Sequence, residues 1–364
     1  MTPQKTKRVL FLYSGGTIGQ VPEDRDGQIV LVPPKNSKVF RAACEPTIAS
    51  LKQKLKIEFE FVTAKDSSNM TPNDWEKLVF RVHKAQQEGY DGVAIAHGTD
   101  TLSYTATALA LALHGRDPRK SGLTIPVCIT GAQNPIYEPG GDGRFNLENL
   151  FRTLEQAIEL EVADVLVTFW DKVLLGCRSL KLSERRFDAF RSPSYPEVGS
   201  IDSNGVHINT AIVHMKKDSD SALALAPKFG RGVIGFELAP GVDPNVLLGL
   251  ITQGGVSAMI LKSLGEGNVC AEGQYNLIPV IKQATEEYQV PIFIASKFPG
   301  GNAVATHYEV GLAAIRAGGI PCYDHTDVAV DVKVRWLLGN ALAARVEDFR
   351  KAMNTSYAGE VTAH

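Results

Sequence analysis

Thr17 stands where an apolar run, Val9 to Tyr13, passes through Ser14, Gly15 and Gly16 and on into Ile18 and Gly19. Such a run forms a buried strand, and the two glycines after it let the backbone turn sharply and approach a ligand closely. A threonine held at that turn, beyond the carboxyl end of a strand in an α/β sheet, faces whatever binds there. Its hydroxyl becomes a nucleophile only with a base within hydrogen-bond reach. Candidates follow other apolar runs: His97-Gly98-Thr99-Asp100-Thr101, Gly131-Ala132-Gln133-Asn134 and Gly176-Cys177-Arg178-Ser179-Leu180-Lys181. Strand ends of one parallel sheet converge on one edge, so Thr99, Asp100 and Lys181 can form a proton relay. A lysine ordinarily titrates near about 10.4; burial lowers that value and a neighbouring carboxylate opposes the change, so the three groups act as a coupled set rather than as a lone base. Taken singly they have plainer uses: Asp100 or Thr101 as a helix cap, Lys181 as a solvated lysine, His97 as a structural hydrogen-bonding residue.

A Walker-type phosphate loop does not fit. It requires Gly-Lys-Ser/Thr and a helix start, whereas Thr17 leads into the polar stretch from Pro22 to Gly27. That stretch reads as a long, exposed, mobile loop of the kind that closes over sites.

The elements that position these residues alternate along the chain. Apolar runs at 9–13, 92–96, 126–130 and 164–169 are separated by helical patterns beginning at Thr71, at Thr101 and near Asn146. Thr71-Pro72-Asn73-Asp74 is a helix start, with proline first and an acid in the first turn. This alternation predicts parallel strands joined by helices, and the fully apolar runs suit a sheet covered on both faces. Helical periodicity lapses from about Val198 to Lys228, and Lys216 to Ser221 is the best linker. A second alternation follows, with runs at 232–238, 256–263 and 290–296 and helices from Pro244, near Tyr275 to Tyr288, near Tyr308 to Ala317, and from Val332. The expected fold is α/β: a larger amino-terminal parallel-sheet domain over 1–215 with helices on both faces, a linker over 216–228, and a smaller carboxyl-terminal α/β domain over 229–364.

Composition narrows the partners. A formal net charge of −2 gives no electrostatic reason to expect nucleic acid, which calls for a basic face, and no apolar segment approaches the roughly 20 residues that span a bilayer. Cys44, Cys128, Cys177, Cys270 and Cys322 are scattered and form no CxxC pair, so neither a disulfide framework nor a zinc site is indicated. They read as reduced thiols in a cytoplasmic protein, and the amino terminus carries no cleavage pattern. A small-molecule partner is expected.

SGGTIG at Thr17, DSSNM from Asp66 to Met70, HGTDT, ITGAQNP, and GCRSLK followed by FDAFRSP from Phe187 to Pro193 resemble the bacterial-type L-asparaginase family. DSSNMTPNDW is most similar to its cytoplasmic type I branch, and the resemblance extends through Gly267-Asn268-Val269 and the Tyr308 to Gly318 region. It implies an amidohydrolase, without metal or other cofactor, that cleaves a side-chain amide to acid and ammonia through a threonine acyl-enzyme, and that assembles as a homodimer or homotetramer. By the same resemblance Thr17 is the nucleophile, and Thr99, Asp100 and Lys181 form the second catalytic group. Asp66 and Ser67, with Asp100, hold the α-carboxylate and α-ammonium of the substrate, and Gly16 and Gly98 belong to the substrate-binding set. A zwitterion needs both a donor cluster and a carboxylate.

The chain departs from the family pattern in places. The family places a tyrosine in the loop after the first threonine, but none occurs between Tyr13 and Tyr90, and Gln28 occupies the approximate place. Glutamine hydrogen-bonds but takes no proton at neutral pH. Ser14 opens a motif that often begins with threonine, and Lys297-Phe298 occupies the region resembling the type I effector site, which argues against allosteric control by asparagine. Two other readings stay open. One is a relative aimed at a different amide, including the glutaminase subunit of a tRNA-dependent amidotransferase, which usually carries an extra amino-terminal domain that this chain is expected to lack. The other is a ligand-binding homologue with impaired turnover.

Overall fold

The computed structural model describes residues 6–51, 54–217, 225–304 and 309–362. They group into two compact units, one of residues up to Gly115 and from Arg119 to Leu225, the other of Arg116–Pro118 and Ala226 onward. Of the linker expected over 216–228, residues 218–224 lie outside the described residues.

In the first unit, β1 (Lys7–Gly15) is followed by β2 (Val21–Arg25), β3 (Gln28–Val32), α1 (Ser37–Ile48) and β4 (Leu55–Lys65). Next come α2 (Pro72–Gln87), β5 (Gly92–Ala96), α3 (Leu102–His114), β6 (Val127–Thr130), α4 (Gly143–Glu159) and β7 (Val165–Phe169). The unit closes with β8 (Lys172–Leu175), the short pair β9 (Leu180–Lys181) and β10 (Phe190–Arg191), β11 (Gly199–Asp202) and β12 (Gly205–Ile208). Eight of these strands form one sheet in the order β12-β11-β8-β7-β6-β5-β1-β4. The five from β7 to β4 run parallel, and β5, β6 and β7 are buried at every residue. Strands without an exposed face need cover on both sides, and two helix pairs, α2 with α3 and α1 with α4, supply it.

The expected parallel strands are present, and β8, β11 and β12 extend the sheet antiparallel at one edge. One expectation is corrected. The segment after Thr17 is not a loop: β2 and β3 form a hairpin in register from Val21↔Val32 to Arg25↔Gln28. Its two-residue turn is Asp26-Gly27, with φ of 54° and 81°. Positive φ at both positions is the turn geometry whose twist suits a hairpin, and Asp-Gly is its favoured sequence. Strand β4 is not among the fully apolar runs. It lies at the sheet edge and exposes or half-exposes all but its first residue.

In the second unit, β13 (Val233–Glu237), β14 (Ala258–Ser263), β15 (Ile292–Ser296) and β16 (Ile320–Pro321) form a parallel sheet in that order. Helices α5 (Pro244–Gln253), α6 (Ile278–Glu286), α7 (Glu309–Arg316), α8 (Asp327–Gly339) and α9 (Val346–Met353) accompany it. The α6 helix begins three residues after Tyr275, because Gly273–Tyr275 forms a separate 3-10 turn, and the helical tail starts at Asp327 rather than Val332. Tyr308, expected to open α7, lies outside the described residues. Among the described residues, no helix is long and apolar enough to cross a membrane.

Candidate active site

The site is built on three adjacent strands, β4, β1 and β5, whose carboxyl ends carry Asp66-Ser67, Gly16-Thr17 and Gly98-Thr99-Asp100. Gly15 turns with φ of 116° and Gly16 with φ of 88°, conformations that suit glycine. The approach between loops is close. A Cβ on Gly16 would lie 2.2 Å from the Gly98 Cα, and one on Gly98 would lie 2.5 Å from the Ser67 Cβ. The Gly16 N–H donates to Lys65 O at 3.2 Å, and the Thr101 hydroxyl donates to Ser67 O at 2.8 Å. Thr17, Ser67 and Thr99 therefore sit on three loops that touch through their glycines, and Gly16 and Gly98 serve as the points of contact.

Lys181 reaches this cluster from another part of the chain. Its Nζ donates to Thr99 Oγ1 at 2.8 Å and to Asp100 Oδ1 at 2.6 Å. Two features deliver it. The Ser179 hydroxyl lies 3.3 Å from that of Ser103 in α3, and β9 pairs with β10, placing Lys181 opposite buried Phe190. The Asp188 carboxylate grips Arg191 just beyond. The FDAFRSP segment is thus the scaffold of the lysine. Gln133 adds a brace, with its amide donating to Ser183 O at 3.2 Å.

The electrostatics suit a relay. The Lys181 side chain is 17% exposed and that of Asp100 is 63% exposed, so the pair is open to solvent on the carboxylate side. Thr99 is buried and accepts from Lys181, which leaves its own proton to point elsewhere. Asp66 accepts from the Ser68 hydroxyl at 2.7 Å and the Ser68 N–H at 2.9 Å, and these bonds hold its carboxyl below the usual range. His97 is fully buried, between Gly98 O at 2.7 Å and the Thr105 hydroxyl at 2.9 Å. Burial lowers its pKa to about 4, so it is a neutral structural residue. Gln28 stands exposed at the hairpin turn, in register with Arg25.

Several supporting residues escaped the sequence reading. Tyr13 lies beneath the Thr17 turn, its ring against Gly19 and its hydroxyl 3.4 Å from Gly16 O. Asp142 is buried and accepts the N–H groups of Gln133 and Asn134, so it shapes the loop after β6. Asp74, read only as a first-turn acid, also accepts from Lys65 Nζ at 2.7 Å and the Thr71 hydroxyl at 2.7 Å. It thereby joins the two ends of the Asp66–Met70 segment. Side-chain partners many positions apart leave no local signal.

Residues 8–214 match the family described as Asparaginase, N-terminal, and residues 233–353 the Glutaminase/Asparaginase C-terminal domain. The L-asparaginase 1 of Escherichia coli is 30% identical over 98% of both chains. A Glutamyl-tRNA(Gln) amidotransferase component of Aeropyrum pernix is 30% identical over 98% of this chain and 80% of its own. Among solved structures, the thermostable L-asparaginase from Thermococcus kodakarensis superposes with a TM-score of 0.82 at 29% identity, covering 98% of this chain and all of that one.

Proposed function

The chain belongs to the asparaginase family, and from that premise we propose that it hydrolyses L-asparagine to L-aspartate and ammonia through an ester on Thr17. The observation that carries this reading is Lys181 Nζ, 2.8 Å from Thr99 Oγ1 and 2.6 Å from Asp100 Oδ1, where Thr99 and Asp100 follow Gly98 on the loop that packs directly against Gly16.

In the reaction, Thr17 Oγ attacks the side-chain amide carbon while its proton passes by way of Thr99 to Lys181 as the free amine, and the Asp100 carboxylate steadies the ammonium that forms. The relay protonates the departing nitrogen, the C–N bond breaks, and ammonia leaves an acyl-threonine. Water then attacks the ester, giving the second carboxylate and restoring the threonine hydroxyl. A coupled base of this kind supplies about 10²- to 10⁴-fold in rate. Asp66, Ser67 and Asp100 hold the α-ammonium and α-carboxylate, while Gly16 and Gly98 let the backbones close around the substrate. The protein acts as a homodimer or homotetramer, and its free cysteines, four of them buried, support a cytoplasmic setting.

The test is ammonia release from asparagine, glutamine, D-asparagine and short amides, with the parent and with Thr17→Ala. Release from asparagine by the parent and none by the variant is expected. Near-parental release by Thr17→Ala would overturn the nucleophile. A preference for glutamine would favour the second reading, to which the likeness to an amidotransferase component points.

A further inference from the structure

His114, Asp164 and His214 lie at successive spacings of fifty residues, and the fold brings them together at the opposite edge of the sheet from Thr17. Asp164 immediately precedes β7. His114 ends α3, the helix that starts beside Thr99, and thirteen residues of helix separate the two edges by roughly 20 Å. His214 is pinned beside Asp164 by backbone pairing, Ala163 N–H to His214 O at 2.8 Å and a bridge between Val162 and Met215.

The donor atoms converge. His114 Nε2 lies 3.3 Å from Asp164 Oδ1, His214 Nδ1 lies 2.8 Å from Asp164 Oδ2, and one ligand atom from each residue falls within 4.8 Å of the others. A tetrahedral zinc site with bonds of about 2.0–2.1 Å has ligand edges of about 3.3 Å; the His114–Asp164 separation matches this edge, and small side-chain rotations bring the His214 pair, at 2.8 Å, to it. The side chains of His114 and Asp164 are 2% and 0% exposed, and that of His214 is 36% exposed. The cluster is therefore buried at two residues and open to solvent at the third, His214.

Charge gives the second argument. A fully buried carboxylate needs a compensating cation. Asp164 is met by the Val165 and His214 N–H groups and by the two imidazoles. The backbone donors fix the carboxylate, as outer partners do for a metal ligand. Ser121 Oγ lies 2.8 Å from His114 Nδ1 and 3.2 Å from Leu123 O. When its proton goes to Leu123 O, His114 Nδ1–H donates to Ser121 and Nε2 turns a lone pair toward Asp164. In that tautomer Nε2 is free to ligate an ion beside Asp164 Oδ1, whereas in the other Nε2–H donates to the carboxylate.

We propose that His114, Asp164 and His214 bind one divalent transition cation of the zinc type, remote from the catalytic edge. Two imidazoles with a carboxylate select such an ion over magnesium or calcium, which prefer all-oxygen sites. The ion would tie α3, the start of β7 and the His214 segment together and takes no part in amide cleavage.

The test uses the full chain, stripped with a chelator and titrated with Zn²⁺ by calorimetry and with Co²⁺ by absorbance. One equivalent per chain, a raised Tm and a tetrahedral cobalt spectrum are expected. His214→Ala, at the exposed ligand, weakens binding by more than the about 10- to 100-fold that loss of an outer partner costs. Ser121→Ala falls within that range. His214→Cys keeps the site and adds a thiolate-to-cobalt charge-transfer band. Absence of stoichiometric binding by the parent overturns the proposal and leaves protons as the compensating charge, as does binding that His214→Ala leaves unchanged.

Discussion

Gly16 and Gly98 pack backbone against backbone, so closely that a Cβ on the first would lie 2.2 Å from the Cα of the second. The Thr17 turn and the Thr99 loop are held at the distance this contact sets. Gly98 has ordinary backbone angles, φ −76° and ψ 142°, so an alanine there is strained by space alone and must displace Ser67. A shift of about 1 Å in a reacting group costs on the order of 10²-fold in rate. Gly98→Ala is therefore expected to fold, by circular dichroism, and to lose about that much in kcat on asparagine. A parental kcat would show that the loops close around the substrate without this contact.

Lys181→Met removes the amine from Thr99 and Asp100 while roughly keeping the length of the side chain. A fall of about 10²- to 10⁴-fold in kcat is expected, with substrate binding by calorimetry nearly unchanged. The same loss in Thr99→Val, and no further loss in the double variant, would mark the two as one relay. Additive losses would show independent roles.

Asp74→Asn tests the support of the Asp66–Met70 segment, which is proposed to bind substrate. Asp74 is buried and joins Lys65, at the end of β4, to Thr71, at the start of α2. Asp66 and Ser67 lie between them. Steady-state kinetics should show a raised KM with a smaller change in kcat, because the chemistry rests on other loops. A fall in kcat alone would contradict the assignment.

The second unit contains a buried ion pair with a clear pH signature. Lys333 Nζ lies 2.7 Å from Glu360 Oε1 with both side chains fully buried, and also donates to Thr355 O at 2.7 Å. Burial disfavours the Glu360 carboxylate, but Lys333 and His325 outweigh it and hold its pKa at about 2, against 4.5 in the free residue. The folded value is depressed, so the stabilisation is complete above about pH 4.5 and fades as pH falls toward 2. Glu360→Gln strands the buried lysine, at a cost of about 3–5 kcal/mol near neutral pH. Urea unfolding of the parent should weaken between about pH 4.5 and 2, and that slope should be flattened in the variant. An unflattened slope would place the acid sensitivity elsewhere.

Much of the scaffold was legible in the sequence. The apolar runs of β1, β5, β6 and β7 announce strands because no face of them meets water, and Thr71-Pro72 opens α2 because proline suits a first helical turn. Less was legible at the edges. Strands β8, β11 and β12 are short, and β4 alternates apolar residues with Lys56, Glu58 and Glu60. The Asp26-Gly27 hairpin carries a local mark, an Asp-Gly pair, which the polarity of the stretch from Pro22 to Gly27 masks.

The sequence by itself determined which residues were able to react: a threonine after paired glycines, a Thr-Asp pair after a buried strand, and a lysine in GCRSLK. Each depends on a few neighbours, and local backbone physics is enough to read it. Only the tertiary structure decided which of them meet. Lys181 finds Thr99 across 82 positions, and His114 and His214 each find Asp164 across 50. Such contacts are set by the order of strands in the sheet and by the close approach of glycine loops. Those are properties of packing between distant segments, and no short stretch of chain contains them.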